Sequence, residues 1–336
     1  MIHLLKRSSW KWGVLVAGIF LLGGAMLASV LWGVVDTTWA MLVASYTQPD
    51  SSQAQIIIRD VRIPRALIAA AIGGSLGLSG MLMQVLMRNP LADPGIFGLN
   101  AGAAFFVVLA MTVFQVSSLG ELTWVAFLGS ALSGAVVYGL GSMGRDGLTP
   151  MKLTLAGAAI MALFSSLMHG LLIVNQRAME DVLFWLAGSV AGRKLELLTS
   201  LLPYLLVGWV GSFLIAAQLN TLTLGEDVAK SLGQKTVFVK LLAALFVVLL
   251  AGGSVAVCGP IGFIGLVIPH LARALVGQDM RWGMAYAMLL GALLLVAADV
   301  AARFIAMPKE VPLGVMTALI GVPFFIYVAR KGITRS

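Results

Sequence analysis

LLAALFVVLLAGGSVAVCGPIGFIGLVIPHLA, residues 241–272, holds 32 consecutive positions without an acidic or basic side chain. As one helix it would reach about 48 Å at 1.5 Å per residue, well beyond the ~30 Å of hydrocarbon in a bilayer. Gly259-Pro260 falls near its middle, where proline withholds a backbone donor and crowds the preceding turn. The stretch therefore reads as two crossings, a long one before the break and a short one over Ile261 to Ala274.

Working outward, eight more uncharged runs of 17 residues or longer appear: Gly13 to Val35, Ala66 to Met87, Pro94 to Gly120, Leu122 to Gly144, Leu153 to Gln176, Leu197 to Gly225, Trp282 to Ala298 and Val311 to Ala329. Lipid offers backbone amides and carbonyls no partner but one another, so such runs read as membrane-crossing helices. The expectation is an all-α membrane protein of ten transmembrane segments, one polytopic domain over residues 1–336. Val182 to Gly192 is also uncharged but too short to cross.

Composition agrees. At 60% hydrophobic, 11% charged and a mean hydropathy of +1.00, the chain cannot hide its apolar surface in a water-soluble core. The net charge of +8 would suggest nucleic acid in a soluble domain, but these bases sit in short loops beside apolar runs, where they set orientation. With the N-terminus inside, fourteen Lys and Arg fall on inner segments and eight on outer ones, which predicts N-in and C-in. Met1 to Lys11 is basic, and the run after it exceeds the apolar core of a cleaved leader, so it reads as a retained first span. A single Cys258 excludes an internal disulfide, and three scattered histidines, His3, His169 and His270, form no recognisable metal motif. No G-x-x-x-x-G-K-[ST] phosphate loop occurs; Gly233-Gln234-Lys235-Thr236 is only the tail of one. The chain reads as a non-enzyme, and any ATP chemistry belongs to another subunit.

Small residues at Gly73, Gly77 and Gly80, and at Gly129 and Ser133, suit close helix packing. Pro94 to Leu99 resembles Pro260 to Leu266, as in an inverted repeat of spans two to five against seven to ten. Arg62-Ile63-Pro64-Arg65 reads as the outer start of the second span, its arginines anchoring at the interface or facing an acidic partner. Arg88 to Pro94 reads as a rigid inner turn in which Asn89 and Asp93 satisfy freed backbone groups. From Leu224 to Gly233 a short inner helix is expected: Glu226 and Asp227 in its first turn, Lys230 in its last, Gly233 as its stop, and Val228, Ala229 and Leu232 exposed. Asp299 and Arg303, four apart on the ninth span, make a structural ion pair. His270 reads as a packing histidine, and Glu310-Val311-Pro312 as the outer start of the last span.

These segments, together with Ser79 to Gln84, Gly98 to Ala103, Gly259 to Arg273 and Glu310 to Gly314, resemble the FecCD-type permeases over nearly the whole chain. Those are the membrane subunits of binding-protein-dependent ABC importers for iron-siderophores, haem and vitamin B12. The resemblance implies a type II importer permease in the cytoplasmic membrane of a prokaryote, with no cofactor of its own. It implies a second permease, homo- or heterodimeric, cytoplasmic ATPases and an extracytoplasmic substrate-binding protein as partners. Leu224, Gly225, Glu226, Asp227, Val228, Ala229, Lys230, Ser231, Leu232 and Gly233 would form the ATPase-coupling element. Arg62, Arg65 and Arg303 would present charge to the binding protein, and Thr149, Pro150 and Met151 would lie near the inner gate. Iron-siderophore is the first expectation for cargo, with haem or cobalamin as alternatives. An ion-coupled secondary transporter, with Asp299 or His270 carrying protons, and a non-transporting scaffold are the rivals from other classes.

Overall fold

A computed structural model describes residues 5, 7–33, 37–47, 52–143, 148–174, 182–183, 185–306 and 310–333. Among them every regular element is helical. In chain order these are α1 (Ser8–Leu31), α2 (Trp39–Thr47), α3 (Gln53–Leu86), α4 (Leu99–Thr112), α5 (Leu119–Ser142), α6 (Pro150–Val174), α7 (Leu195–Leu214), α8 (Ala216–Thr223), α9 (Glu226–Ser231), α10 (Thr236–Cys258), α11 (Ile264–Val276), α12 (Met280–Ile305) and α13 (Leu313–Ile333). Seven of these, α1, α3, α5, α6, α7, α10 and α12, are long and apolar enough to cross a bilayer; α4, α11 and Leu313–Ile326 of α13 are shorter apolar helices. The run Leu197 to Gly225 is not one helix: it bends at Ile215 (φ −92°, ψ 5°), leaving α8 as a separate two-turn piece.

α3 is the axis of the bundle, with 83% of its most apolar window buried, against 11% for α1. Both helices contain an uncharged run long enough to cross a bilayer, from Gly13 in α1 and from Ala66 in α3, so length and charge do not separate them. What does is the glycine stripe Gly73, Gly77 and Gly80, where an added Cβ would strike the backbone of Gly291, Ala287 and Gly265 respectively. Backbone-to-backbone approach of this kind packs α3 against α11 and α12 without any hydrophobic drive. Gly102 on α4 meets Gly129 and Ser133 on α5 in the same way. α1, by contrast, shows Val16, Ile19, Phe20 and Leu21 to its surroundings, an apolar surface that lipid solvates.

α3 begins at Gln53, eleven residues before the proline expected to open it. Between Ile57 and Arg62 the helix widens to a π-turn, and Ile63 N donates to Ile58 O. This shift of register just ahead of Pro64 lets the chain continue through a residue that has no amide to donate.

The break that decides the span count is where α10 stops. Gly259 has φ 75°, and the α11 cap Phe263 has φ 67°. The freed Cys258 carbonyl accepts from Ser189 N at 2.8 Å, and Gly314 N donates to Gly188 O at 3.1 Å. The short uncharged segment around Trp185 to Val190 is therefore packed against the break, where it supplies partners that lipid cannot. Gly98, with φ 66°, caps the other short helix, α4, in the same left-handed conformation.

Candidate functional site

The polar side chains gather at the two ends of α3. At its N-terminal end, Arg65 Nε donates to Asp299 Oδ1 at 2.8 Å and Oδ2 at 3.0 Å, while its Nη1 donates to Glu310 Oε2 at 2.7 Å. Arg303 pairs with Asp299 one turn before it on α12. The side chains of Arg65, Asp299 and Arg303 are 7%, 0% and 4% exposed. The expected Asp299–Arg303 pair thus exists as one edge of a four-residue network joining α3, α12 and the start of α13.

These arginines also close α1. A helix leaves its last four carbonyls without partners. Here Ala28 O accepts from Trp32 N. Arg303 Nη1 donates to Ser29 O at 2.6 Å, and Arg62 Nη1 donates to Val30 O at 2.9 Å and Leu31 O at 3.1 Å. Two cations at a helix C-terminus also oppose its negative dipole end. Arg62, Arg65 and Arg303 are only 5%, 6% and 3% exposed, so they do not present charge outward as the resemblance implies. Burying a guanidinium demands acceptors, and the α1 carbonyls, Asp299 and Glu310 are those acceptors. Arg59 is the exposed arginine of this group, over the Tyr46 ring at 5.9 Å.

At the C-terminal end of α3, α9 forms as expected over Glu226–Ser231, between Gly225 (φ 124°) and Gly233 (φ 79°). Glu226 ties it down. Its carboxylate takes Lys240 Nζ at 2.6 Å, Lys230 Nζ at 3.2 Å and Arg88 Nη2 at 3.6 Å, linking α9 to α10 and to the turn after α3. Partial burial pushes this carboxyl up, but hydrogen bonds and charge from Lys240 and Lys230 outweigh it, and the net shift is downward. Ala229 is fully buried rather than exposed; it is the foot on which α9 stands. Leu224, Val228 and Leu232, at 68%, 45% and 67% exposure, recur every fourth residue and form an apolar stripe facing outward.

The turn between α3 and α4 behaves as read from sequence: Leu91 N donates to Asn89 Oδ1 at 2.9 Å and Gly95 N to Asp93 Oδ1 at 2.8 Å. Its first residue, Arg88, adopts φ 46°, a left-handed cap that a non-glycine side chain seldom takes. Beside it a cleft of about 370 Å³ is lined by Gln84, Arg88, Asn89, Leu224, Arg273 and Gln278, among others. Pro150 opens α6, Thr149 Oγ1 accepts from Lys152 N at 3.3 Å, and Met151 is 73% exposed. Lys240 Nζ reaches Leu148 O at 3.5 Å, so the stretch just before the expected gate residues touches the cation that holds α9. His270 sits edge-on to Phe324, ring centroids 5.9 Å apart, as a packing histidine would.

Lys240, Glu310 as an ion-pair member, and Arg273 were not legible as site residues. Lys240 and Arg273 are lone charges in or beside an apolar run and Glu310 borders one, and that embedding is the signal that could have found them.

Comparison with known proteins bears on what these ends serve. The pattern of the FecCD transport family matches residues 20–331. The probable siderophore transport system permease protein YfiZ of Bacillus subtilis (strain 168) is 53% identical over 327 residues, 97% of this chain and 98% of that protein. The ferric enterobactin transport system permease protein FepD of Escherichia coli (strain K12) is 38% identical, covering 91% of this chain and 92% of the other. The solved structure titled "An inward-facing conformation of a putative metal-chelate type ABC transporter" superposes with a TM-score of 0.83 at 31% identity, covering 95% of this chain and 99% of that one. With a family match that runs through both ends of α3, this multi-pass membrane protein belongs to the FecCD transport family.

Proposed function

We propose that this chain is the permease subunit of an ATP-driven importer that moves an iron-siderophore complex across the cytoplasmic membrane by alternating access. The observation that carries this reading is the end-to-end likeness, 53% identity across 97% of the chain, to a siderophore-system permease. In our reading α4, α11 and α13 complete ten crossings with both termini inside, and the left-handed caps at Gly98 and Phe263 support an inverted repeat within one domain. ATP is hydrolysed by a partner subunit, and a second permease, identical or related, completes the pathway. The segment Leu224 to Gly233 is the coupling element: its outward stripe faces the ATPase, and Glu226 transmits the push to α10 and the α3–α4 turn. Thr149, Pro150 and Met151 lie near the inner gate. Arg62, Arg65 and Arg303 serve binding-protein docking from within, by holding the ends of α1, α3 and α12 in register beneath the docking face, while Arg59 meets the partner directly.

A proton-coupled mechanism is disfavoured by the geometry at Asp299, whose carboxylate is engaged by Arg65 and Arg303 rather than facing an open pathway. The deciding experiment is uptake of radio-iron siderophore into proteoliposomes holding the permease, its ATPase and its binding protein. Uptake should require ATP and all three components; accumulation by the permease alone would refute the reading.

A further inference from the structure

Around the C-terminal end of α3 charge is unbalanced. One carboxylate, Glu226, faces three cations, Arg88, Lys230 and Lys240. Arg273, inside the same cleft as Arg88, bonds among the described residues to neutral groups: Gln84 Oε1, and Met81 Sδ at 3.4 Å. Asp279, flanking the cleft, is engaged by Asn220 Nδ2 and by the amide of Arg281. Among the described residues Arg65 and Arg303 at the other end of α3 pair with the Asp299 carboxylate, whereas Arg273 pairs with none. Arg88 meanwhile holds a left-handed backbone that glycine adopts more readily, so its side chain is present despite a conformational cost.

We propose that the cleft between Arg88 and Arg273 receives an acidic side chain of the partner ATPase, an ion pair set beside the apolar grip of α9. The proposal rests on the coupling reading given above. Two guanidiniums in a cleft of about 370 Å³ suit one carboxylate. The position favours protein over lipid: the cleft caps α3, the most buried of the spanning helices, away from the perimeter that lipid covers. Leu224 lines the cleft and also heads the exposed stripe, so a subunit seated on Leu224, Val228 and Leu232 lies directly over the arginines.

The test uses full-length permease in nanodiscs, titrated with its ATPase. Arg273→Gln and Arg88→Gln should each weaken association about tenfold and flatten its salt dependence, as loss of a desolvated interfacial charge does. Arg273→Lys should recover most of the affinity. The triple variant Leu224→Ala, Val228→Ala, Leu232→Ala tests the α9 surface separately. If the triple variant binds normally, the coupling reading itself fails. If it loses binding while both Gln variants keep wild-type affinity and salt slope, the ion pair is refuted and the α9 reading stands. A Gln effect that vanishes in nanodiscs without anionic lipid assigns the cleft to a phospholipid headgroup, and equal loss of affinity and thermal stability in Arg273→Lys and Arg273→Gln makes Arg273 a folding residue. Either overturns the proposal.

Discussion

Replacing Asp299 with asparagine keeps the shape of a fully buried side chain and removes its charge. In the native network Arg65 and Arg303 are balanced by Asp299 and Glu310, and within that network Glu310, 35% exposed, reaches Arg65 and not Arg303. Asp299→Asn therefore leaves Arg303 with backbone carbonyls and the Ser29 hydroxyl as partners but no counter-charge. Breaking a buried pair from one side costs about 3–5 kcal/mol, because the remaining ion is stranded. At roughly 2 °C per kcal/mol for a chain of this length, Tm should fall by about 6–10 °C. Thermal unfolding in detergent, followed by tryptophan fluorescence, reads this directly. The double variant Asp299→Asn, Arg303→Met removes the stranded charge and should recover part of the loss, the remainder being the α1 carbonyls that Arg303 satisfied. A single variant within about 1 °C of wild type would refute the network as a stabilising element. A stable variant that cannot transport would point instead to a proton-carrying role.

Arg62→Ala should free the Val30 and Leu31 carbonyls and loosen the α1–α2 junction, seen as faster proteolysis near Thr37 with α3 still protected. Gly80→Ala drives a methyl group into the Gly265 backbone, where nothing flexible can yield; destabilisation of about 1–3 kcal/mol or more is expected by thermal unfolding, whereas Gly23→Ala, with open space around it, should be neutral. The Glu226 carboxyl is held below its ordinary value, so its contribution is fully present above the ordinary carboxylate range and is lost as pH falls through the lowered folded value. Protection factors across Glu226–Ser231, each exchange rate taken relative to its intrinsic rate at the same pH, should therefore fall only under acidic conditions, and in Glu226→Gln they should be low and independent of pH.

The residues of 241–272 and their uncharged neighbours settle by themselves that the chain is helical and crosses lipid. Length against bilayer thickness is a one-dimensional test, and it needs no knowledge of which helix touches which. The α9 boundaries were equally legible, because glycines and terminal charges act on the nearest turn. The turn at Asn89 to Pro94 was legible for the same reason. Burial was not. α1 and α3 both carry an uncharged crossing run, and contacts such as that of Gly73 with Gly291, across 218 positions of sequence, make α3 the axis. Nor could sequence say that Arg62, Arg65 and Arg303 turn inward. An arginine beside an apolar run anchors at the membrane surface unless acceptors wait inside, and those acceptors, α1 carbonyls, Asp299 and Glu310, come from helices brought together only by the fold.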